Sequence, residues 1–322
     1  MRVLLTGGAG FIGSHVADRL VQRGDEVVIV DSFDAFYDPG IKRRNLETSL
    51  NSGCARLIEL DICNTSQLDE ALGDDSIDAI IHLAARAGVR PSLERPMDYV
   101  RTNVEGTQSL LEIAKRRGIR PFVFGSSSSV YGDSTAVPFR ENAVATEPIS
   151  PYAATKRACE LICFAQSHLY GTSIICLRLF TVYGPRQRPD LAIHKFAKLM
   201  SRGKPIPFYG DGTTERDYTF VSDIVDGIER ALEWTIAAPS GAFEIVNLGE
   251  SVTTSLNDLV RMIADELGVE PKLERLPNQP GDVQRTFADV TRARKLLGYD
   301  PHTSMREGIR QFAEWYRIQP SD

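Results

Sequence analysis

Cysteine is scarce and unpatterned in this chain of 322 residues: there are five, and no two form a Cys-x-x-Cys pair. An odd number of scattered thiols excludes a disulfide framework and fits a reducing compartment. Histidine is equally thin, with five residues and no His/Cys ligand spacing, so no metal site is expected. Long apolar runs are missing, and none approaches the roughly 20 residues that a membrane-spanning helix needs. The net charge is −6 with no concentrated basic stretch, which removes a nucleic-acid backbone as a partner. Residues 1–6 already read as a buried strand, so no leader is expected and a cytoplasmic protein is.

What is present is ordinary globular composition, 42% hydrophobic and 25% charged, enough for one large domain or two unequal ones. Short β-branched runs alternate with helical stretches. Strands are expected at Arg2 to Thr6, Glu26 to Val30, Arg56 to Leu60, Asp78 to Leu83, Pro121 to Gly125 and Ile174 to Leu179. Helices are expected at Phe11 to Gln22, Met97 to Arg117 and Tyr152 to Tyr170. This rhythm predicts an α/β fold with a doubly wound parallel sheet of the Rossmann type over residues 1–180. After Thr181 the Gly and Pro punctuation changes, and a smaller C-terminal α/β substrate domain is expected over residues 181–322. The helix Asp223 to Trp234 and the strand Phe243 to Leu248 are expected to return to the main sheet, which makes the boundary interdigitated.

Within the first βαβ unit, Thr6-Gly7-Gly8-Ala9-Gly10-Phe11-Ile12-Gly13 places glycines between a strand and a helix. Such a loop lets the backbone approach a pyrophosphate, whose charge then sits at the positive end of the helix. Asp31 closes the second strand, where a carboxylate accepts hydrogen bonds from a ribose diol and repels a 2′-phosphate, so NAD is expected rather than NADP. Asp61 and Ile62 end the third strand and either line the adenine pocket or, for Asp61, cap a helix.

Of the ten tyrosines, only Tyr152 has a lysine four residues later, Lys156, and this spacing puts both on one helical face. The run Gly125-Ser126-Ser127-Ser128-Ser129 ends a strand on the side of the sheet where ligands bind. Together they suit one chemistry. A phenol is ordinarily deprotonated near pH 10, and a nearby ammonium plus a positive nicotinamide would favour its phenolate and make it a base near neutral pH. A dinucleotide-binding regulator would have no use for this trio. A dehydrogenase that releases NADH would share every motif, and cofactor exchange is what separates it from an enzyme that keeps its NAD.

The glycine loop, His82-Leu83-Ala84-Ala85, the serine run and Tyr152 with Lys156 resemble the extended short-chain dehydrogenase/reductase family of nucleotide-sugar enzymes over nearly the whole chain. The resemblance implies Ser127 as the catalytic hydroxyl, Tyr152 as the base and Lys156 as its activator and ribose ligand. It implies Leu83, Ala84, Ala85 and Asn103 as cofactor contacts, Arg216 as the diphosphate arginine, and a homodimer built on the two long helices. The 4,6-dehydratases of the family carry Thr-Asp-Glu at the positions of Ser127, Ser128 and Ser129, and the UDP-glucuronate decarboxylases carry glutamate at Ser129. Neither acid is here, so C4 epimerisation is expected. The wording is most similar to UDP-glucuronate 4-epimerases at Ala87-Gly88-Val89-Arg90, Ser150 to Lys156, Arg188-Pro189-Asp190 and Gln279-Pro280-Gly281-Asp282-Val283. UDP-glucose 4-epimerase stays as the alternative. The substrate is expected to meet Arg90, Ser127, Ser128, Thr181, Arg186, Arg188, Arg216 and Asp282, with Arg188 favoured for a sugar carboxylate because planar guanidinium donors bind carboxylates in pairs.

Overall fold

In a computed structural model the described residues are 1–133, 136–277 and 283–319. The first half alternates β1 (Arg2–Thr6), α1 (Phe11–Gln22), β2 (Glu26–Asp31), α2 (Pro39–Asn51), β3 (Ala55–Glu59), α3 (Thr65–Leu72) and β4 (Ala79–His82). Two short helices, α4 (Val89–Glu94) and α5 (Pro96–Tyr99), lead through a π-helical turn at Val100–Glu105 into α6 (Gly106–Arg117). Then follow β5 (Pro121–Ser127), α7 (Pro151–Tyr170), β6 (Ser173–Leu179) and β7 (Thr181–Tyr183). The remainder comprises α8 (Ala192–Ser201), β8 (Ile206–Tyr209), β9 (Glu215–Phe220), α9 (Val221–Ala237), β10 (Phe243–Leu248), β11 (Thr253–Ser255), α10 (Leu256–Leu267), β12 (Leu273–Leu276), α11 (Thr291–Leu297) and α12 (Met305–Arg317).

Among the described residues the main sheet has seven strands in the order β10-β6-β5-β4-β1-β2-β3, paired in parallel. The strand order reverses between β1 and β4, and the crevice beyond their carboxyl ends is where an open parallel sheet receives ligands. Both faces of the sheet are covered. Val3, Leu5, Ile29, Ile81, Val123 and Leu177 point into one core with α1 and α9, while Leu4, Val28, Ile80, Phe122, Phe124 and Cys176 point into the other with α3, α6 and α7. This alternation explains why each strand reads as a continuous apolar run. The first core continues without a break into Phe196, Ile206, Phe208, Leu259, Ile263 and Phe312, so the later elements pack onto the sheet as one body. They add a three-stranded sheet, β11-β9-β7, and a β12-β8 pair. β10 lies beside β6, as its sequence pattern predicts.

One element departs from expectation. The helix read as continuous from Met97 to Arg117 is interrupted by the π turn. There the Asn103 carbonyl accepts from the Thr107 hydroxyl at 2.5 Å and the Cys159 thiol at 3.2 Å. Side chains inserted into the ladder in this way accommodate the wider turn. The helix that carries Tyr152 is, by contrast, well bounded: Ser150 accepts from the Ala153 amide at 3.2 Å, Pro151 occupies the first turn, and Gly171 ends it with φ of 72°. No helix among the described residues is long and apolar enough to cross a membrane.

Candidate active site

At the carboxyl end of β1 the Gly7 amide donates to the Val30 carbonyl at 2.7 Å, and the Gly10 amide donates to the Gly7 carbonyl at 3.1 Å, just before α1 begins. A Cβ on Gly7, where φ is 71°, would lie 2.6 Å from the Ala84 nitrogen, and one on Gly13 would lie 2.1 Å from the Gly7 oxygen. Neither position tolerates a side chain, because the backbone after β4 is packed on Gly7 and the glycine loop itself is packed on Gly13 of α1. At Gly10 the nearest atom to such a Cβ is the Gly7 oxygen at 3.2 Å, leaving that flank open to a cavity of about 570 Å³. Gly7, Gly10, Phe11, Ile12 and Gly13 line it on one side, and Leu83, Ala84 and Ala85 on the other.

Asp31 also lines this cavity and is held by two backbone amides, Ala9 at 3.2 Å and Phe33 at 2.9 Å, so its carboxylate has a fixed direction. Asp61 and Ile62 line it farther along. The position capping α3 belongs to Asn64, and Asp61 instead accepts from the Cys63 amide at 2.9 Å, which removes the helix-capping alternative. Asn103 stands one layer back: its amide donates to the Arg86 carbonyl and the Thr155 hydroxyl, and its oxygen accepts from the Arg86 amide. It therefore fastens the loop after β4. His82, between Thr6 at 2.7 Å and Thr107 at 3.0 Å, is fully buried, and burial with the charge of Lys156 pushes its pKa down to about 3.

Ser127, Tyr152 and Lys156 meet in the middle of the cavity. Ser127, the last residue of β5, accepts from the Ser129 amide at 3.1 Å and approaches the Ser129 hydroxyl at 3.1 Å. Lys156 donates to the Gly125 carbonyl at 2.6 Å and lies over the Phe124 ring, and burial pushes its ammonium down to about 8. Burial raises the Tyr152 phenol above its ordinary value, with Ser127 and Arg188 acting in the opposite sense. The sequence assigned that opposing field to Lys156; here its ammonium is directed at Gly125, and the cationic help comes from Arg188. Ser128 begins a short 3-10 turn and is not among the residues lining the cavity.

The expected substrate residues separate into groups. Thr181, Arg188 and Arg216 line the main cavity. Arg216 also borders a second space of about 280 Å³, together with Arg90, Lys195 and Tyr209, over whose ring Arg90 lies at 5.2 Å. The two spaces share Ala192, Arg216 and Tyr218 in their walls and so lie side by side along one trench-like face. Arg188 does not offer its whole fork to a ligand as expected: Nε and Nη2 bind Asp190 at 3.0 and 2.7 Å. Arg186 is a correction. It turns away from the trench to Asp18 of α1 at 2.8 Å, from a backbone with φ of 62°. Asp282 lies outside the described residues.

Two features escaped sequence reading. Glu160, one turn beyond Lys156 on the same helical face, is fully buried and binds Ser126 at 2.7 Å, Arg157 at 2.9 Å and Arg178 through both carboxylate oxygens at 2.9 and 2.8 Å. The i, i+4 extension of Tyr152 and Lys156 was the available signal. The other is the segment after β2, from which Ser32, Asp34, Phe36 and Tyr37 line the cavity; nothing in its pattern marks it. The packing of the glycine loop carries a first expectation. Gly13→Ala should cost about 1–3 kcal/mol of stability and leave the purified protein without the NAD that wild type retains; recovery of NAD in wild-type amount contradicts this reading of the loop.

Comparison with known proteins agrees with this geometry. The family model described as the NAD dependent epimerase/dehydratase family matches residues 3–249. The UDP-glucuronate 4-epimerase of Thermodesulfobacterium geofontis is 41% identical over 313 residues, covering 97% of this chain and 95% of that protein. Among solved structures, the UDP-glucuronic acid 4-epimerase of Bacillus cereus, in complex with UDP-glucuronic acid and NAD, superposes with a TM-score of 0.91 at 35% identity, covering 98% of this chain and 99% of that one. The UDP-glucose 4-epimerase of Thermotoga maritima, with UDP-glucose, gives 0.89 at 32% identity over 98% and 99% of the two chains. With a dinucleotide loop, a Ser/Tyr/Lys centre and these relatives in agreement, the chain belongs to the NAD dependent epimerase/dehydratase family.

Proposed function

We infer that this protein is a UDP-glucuronate 4-epimerase that interconverts UDP-glucuronate and UDP-galacturonate with NAD held throughout. The observation that carries the reading is the trench itself: Ser127, Tyr152 and Lys156 stand where the dinucleotide half meets the half containing Arg188 and Arg216. Ser128 and Ser129 follow where the dehydratases and decarboxylases of the family carry acids. The fit for NAD is physical, since Gly7 and Gly13 admit no Cβ while Gly10 lines the cavity, and Asp31 presents a fixed carboxylate to a ribose.

NAD, when bound, supplies the acceptor and donor of the C4 hydride. Tyr152 takes the proton of the 4-hydroxyl and returns it to the opposite epimer. Its buried phenol holds that proton firmly, and Ser127 and the Arg188 charge offset part of the cost of giving it a negative charge. Ser127 shares the proton and orients the alcohol. Lys156, held at the Gly125 carbonyl, would bind the cofactor ribose. Arg216, with Arg90 and Lys195 in the second space, provides the cationic surroundings for a nucleoside diphosphate.

A C4-oxidised glucuronate is a β-keto acid, which loses carbon dioxide when its carboxylate stands perpendicular to the ketone plane. Arg188 holds the carboxylate near that plane. With Nε and Nη2 directed at Asp190, it meets the sugar by the remaining edge of the guanidinium or after Asp190 yields. We also propose a cytoplasmic homodimer. All five cysteines are free, and large exposed apolar residues gather on the segment around α5 (Met97, Val100) and on α7 (Leu161, Phe164).

Four expected outcomes test this. Resolving sugar products after separate incubations with UDP-glucuronate and UDP-glucose should show epimerisation of the former; turnover of UDP-glucose alone establishes the alternative. In the same assay Tyr152→Phe should lose about a hundredfold to ten-thousandfold in kcat while keeping bound NAD, and near-normal activity sinks the proton-transfer role. Arg188→Leu should weaken use of UDP-glucuronate about tenfold or more, raise the share of 4-ketopentose product and lower UDP-glucose turnover less, through the lost charge beside Tyr152; an equal loss on both sugars assigns Arg188 to a step or contact that they share and not to the carboxylate. Finally, Leu161→Asp should convert the dimer to monomers in light scattering, and an unchanged mass excludes the α7 face as the interface.

A further inference from the structure

We propose that the connection between β2 and α2 is a clasp across the mouth of the cofactor cavity, and that Arg86 is the positioning residue that holds it shut. The proposal rests on the reading of the chain as a 4-epimerase, whose hydride has to return to the sugar it came from. If the cofactor departs while the sugar is a ketone, the cycle is broken.

The clasp is a seven-residue span, Ser32 to Asp38, that runs along the cavity before α2 begins. Asp34, Phe36 and Tyr37 line the cavity from this side, and Arg86, Ala87 and Gly88 line it from the other. The two sides are joined directly: Arg86 Nη2 donates to Asp34 Oδ2 at 2.6 Å. Both ends of this bridge are built to stay in place. The Arg86 backbone is gripped by Asn103 through its amide at 2.8 Å and its carbonyl at 3.1 Å, and Asp98 stands 3.5 Å from Nη1. On the clasp, Asp34 Oδ1 accepts from the Phe36 amide at 3.0 Å, and the Asp34 carbonyl accepts from Lys42 of α2 at 3.0 Å.

A second fastening lies farther along, where the Arg188 guanidinium covers the Phe36 ring at 4.9 Å. The clasp is thus tied to the loop after β4 and to the loop after β7. Between these ties the Tyr37 hydroxyl is buried and finds no hydrogen-bond partner among the described residues. It lines the cavity, under the influence of Asp31 at one end and Arg188 at the other. A buried hydroxyl without a protein partner calls for one on a ligand. The clasp therefore both covers the cofactor and contributes a polar group to it, and Arg86 fixes its closed position without touching the reacting atoms.

The Asp34–Arg86 pair is part-exposed, with side-chain exposures of 40% and 20%. A bridge of this kind is sensitive to salt and opens more readily than a buried one. The test uses the purified holoenzyme, wild type, Asp34→Asn and Arg86→Met. NAD remaining with the protein is measured over time after rapid gel filtration, and NADH in the ultrafiltrate is measured during turnover of UDP-glucuronate. Asp34→Asn is nearly isosteric at an exposed position, so its fold is preserved. It should lose NAD at least about threefold faster than wild type, leak NADH during turnover, and show an activity that declines with time and returns on adding NAD. Raising the ionic strength should speed cofactor loss from wild type and leave Asp34→Asn unmoved. Retention as tight as wild type in both variants overturns the clasp. Failure of the wild type to epimerise UDP-glucuronate overturns the assigned reaction instead, because the retention measurement needs no substrate.

Discussion

The chemistry of this protein hangs on a buried ion pair that touches no reacting atom. Glu160 sits at the third position of a stripe on α7 whose first two members are Tyr152 and Lys156, and it grips Arg178 of β6 and Ser126 of β5. A helix can slide or roll on a sheet by an ångström if only apolar contacts hold it. A carboxylate bonded bidentately to a neighbouring strand and to the residue beside Ser127 cannot do so without exposing a charge to the core. Losing one partner of such a pair typically costs about 3–5 kcal/mol, although the intact pair adds little net stability over an apolar substitute. Its value here is registration of α7 against the end of β5, which sets how Tyr152 faces Ser127.

Around that fixed centre the trench divides its labour by charge and by backbone. The dinucleotide half is read largely through main-chain geometry: glycines that admit no Cβ, amides that fix Asp31, and the loop after β4 pinned by Asn103. The sugar-nucleotide half relies on arginines from the later part of the chain. Arg188 stands where the halves meet, bound to Asp190, lying over Phe36 and acting on the Tyr152 phenol. One guanidinium thereby couples Asp190, the ring of Phe36 and the proton affinity of the Tyr152 phenol. Such coupling suits a reaction whose intermediate is an unstable ketone that has to stay in place until it is reduced.

Much of this was legible in the sequence because it depends on local pattern. The glycine loop, Asp31 at the end of β2, the serine run at the end of β5 and the Tyr152/Lys156 spacing are short-range signals; the first three fall at the carboxyl edges of strands and the last on the opening turns of α7. The main strands were legible for the same reason, since burial on both faces leaves a continuous apolar run. The π turn was not, because a helix that widens by one residue keeps the composition of an ordinary helix. Nor was the turn-away of Arg186 from Arg188, two residues apart in the same arginine-rich stretch and opposite in destination.

The sequence by itself determined the doubly wound sheet and the dinucleotide loop with its preference for NAD, and it marked Ser127, Tyr152 and Lys156 as the candidate catalytic residues, because local propensity, strand period and motif spacing are short-range signals. Only the tertiary structure decided what those residues face. It drew Lys156 to the Gly125 carbonyl, directed Asp190 to half of the Arg188 fork, buried Glu160 against Arg178, and carried Asp34 to Arg86 across 52 positions of chain. The physical reason is common to three of the four, Asp190 being a near neighbour of Arg188 in the chain. The partner of a charged or hydrogen-bonding side chain is set by which distant elements the packed core brings within about 3 Å, and spacing along the chain carries no record of that.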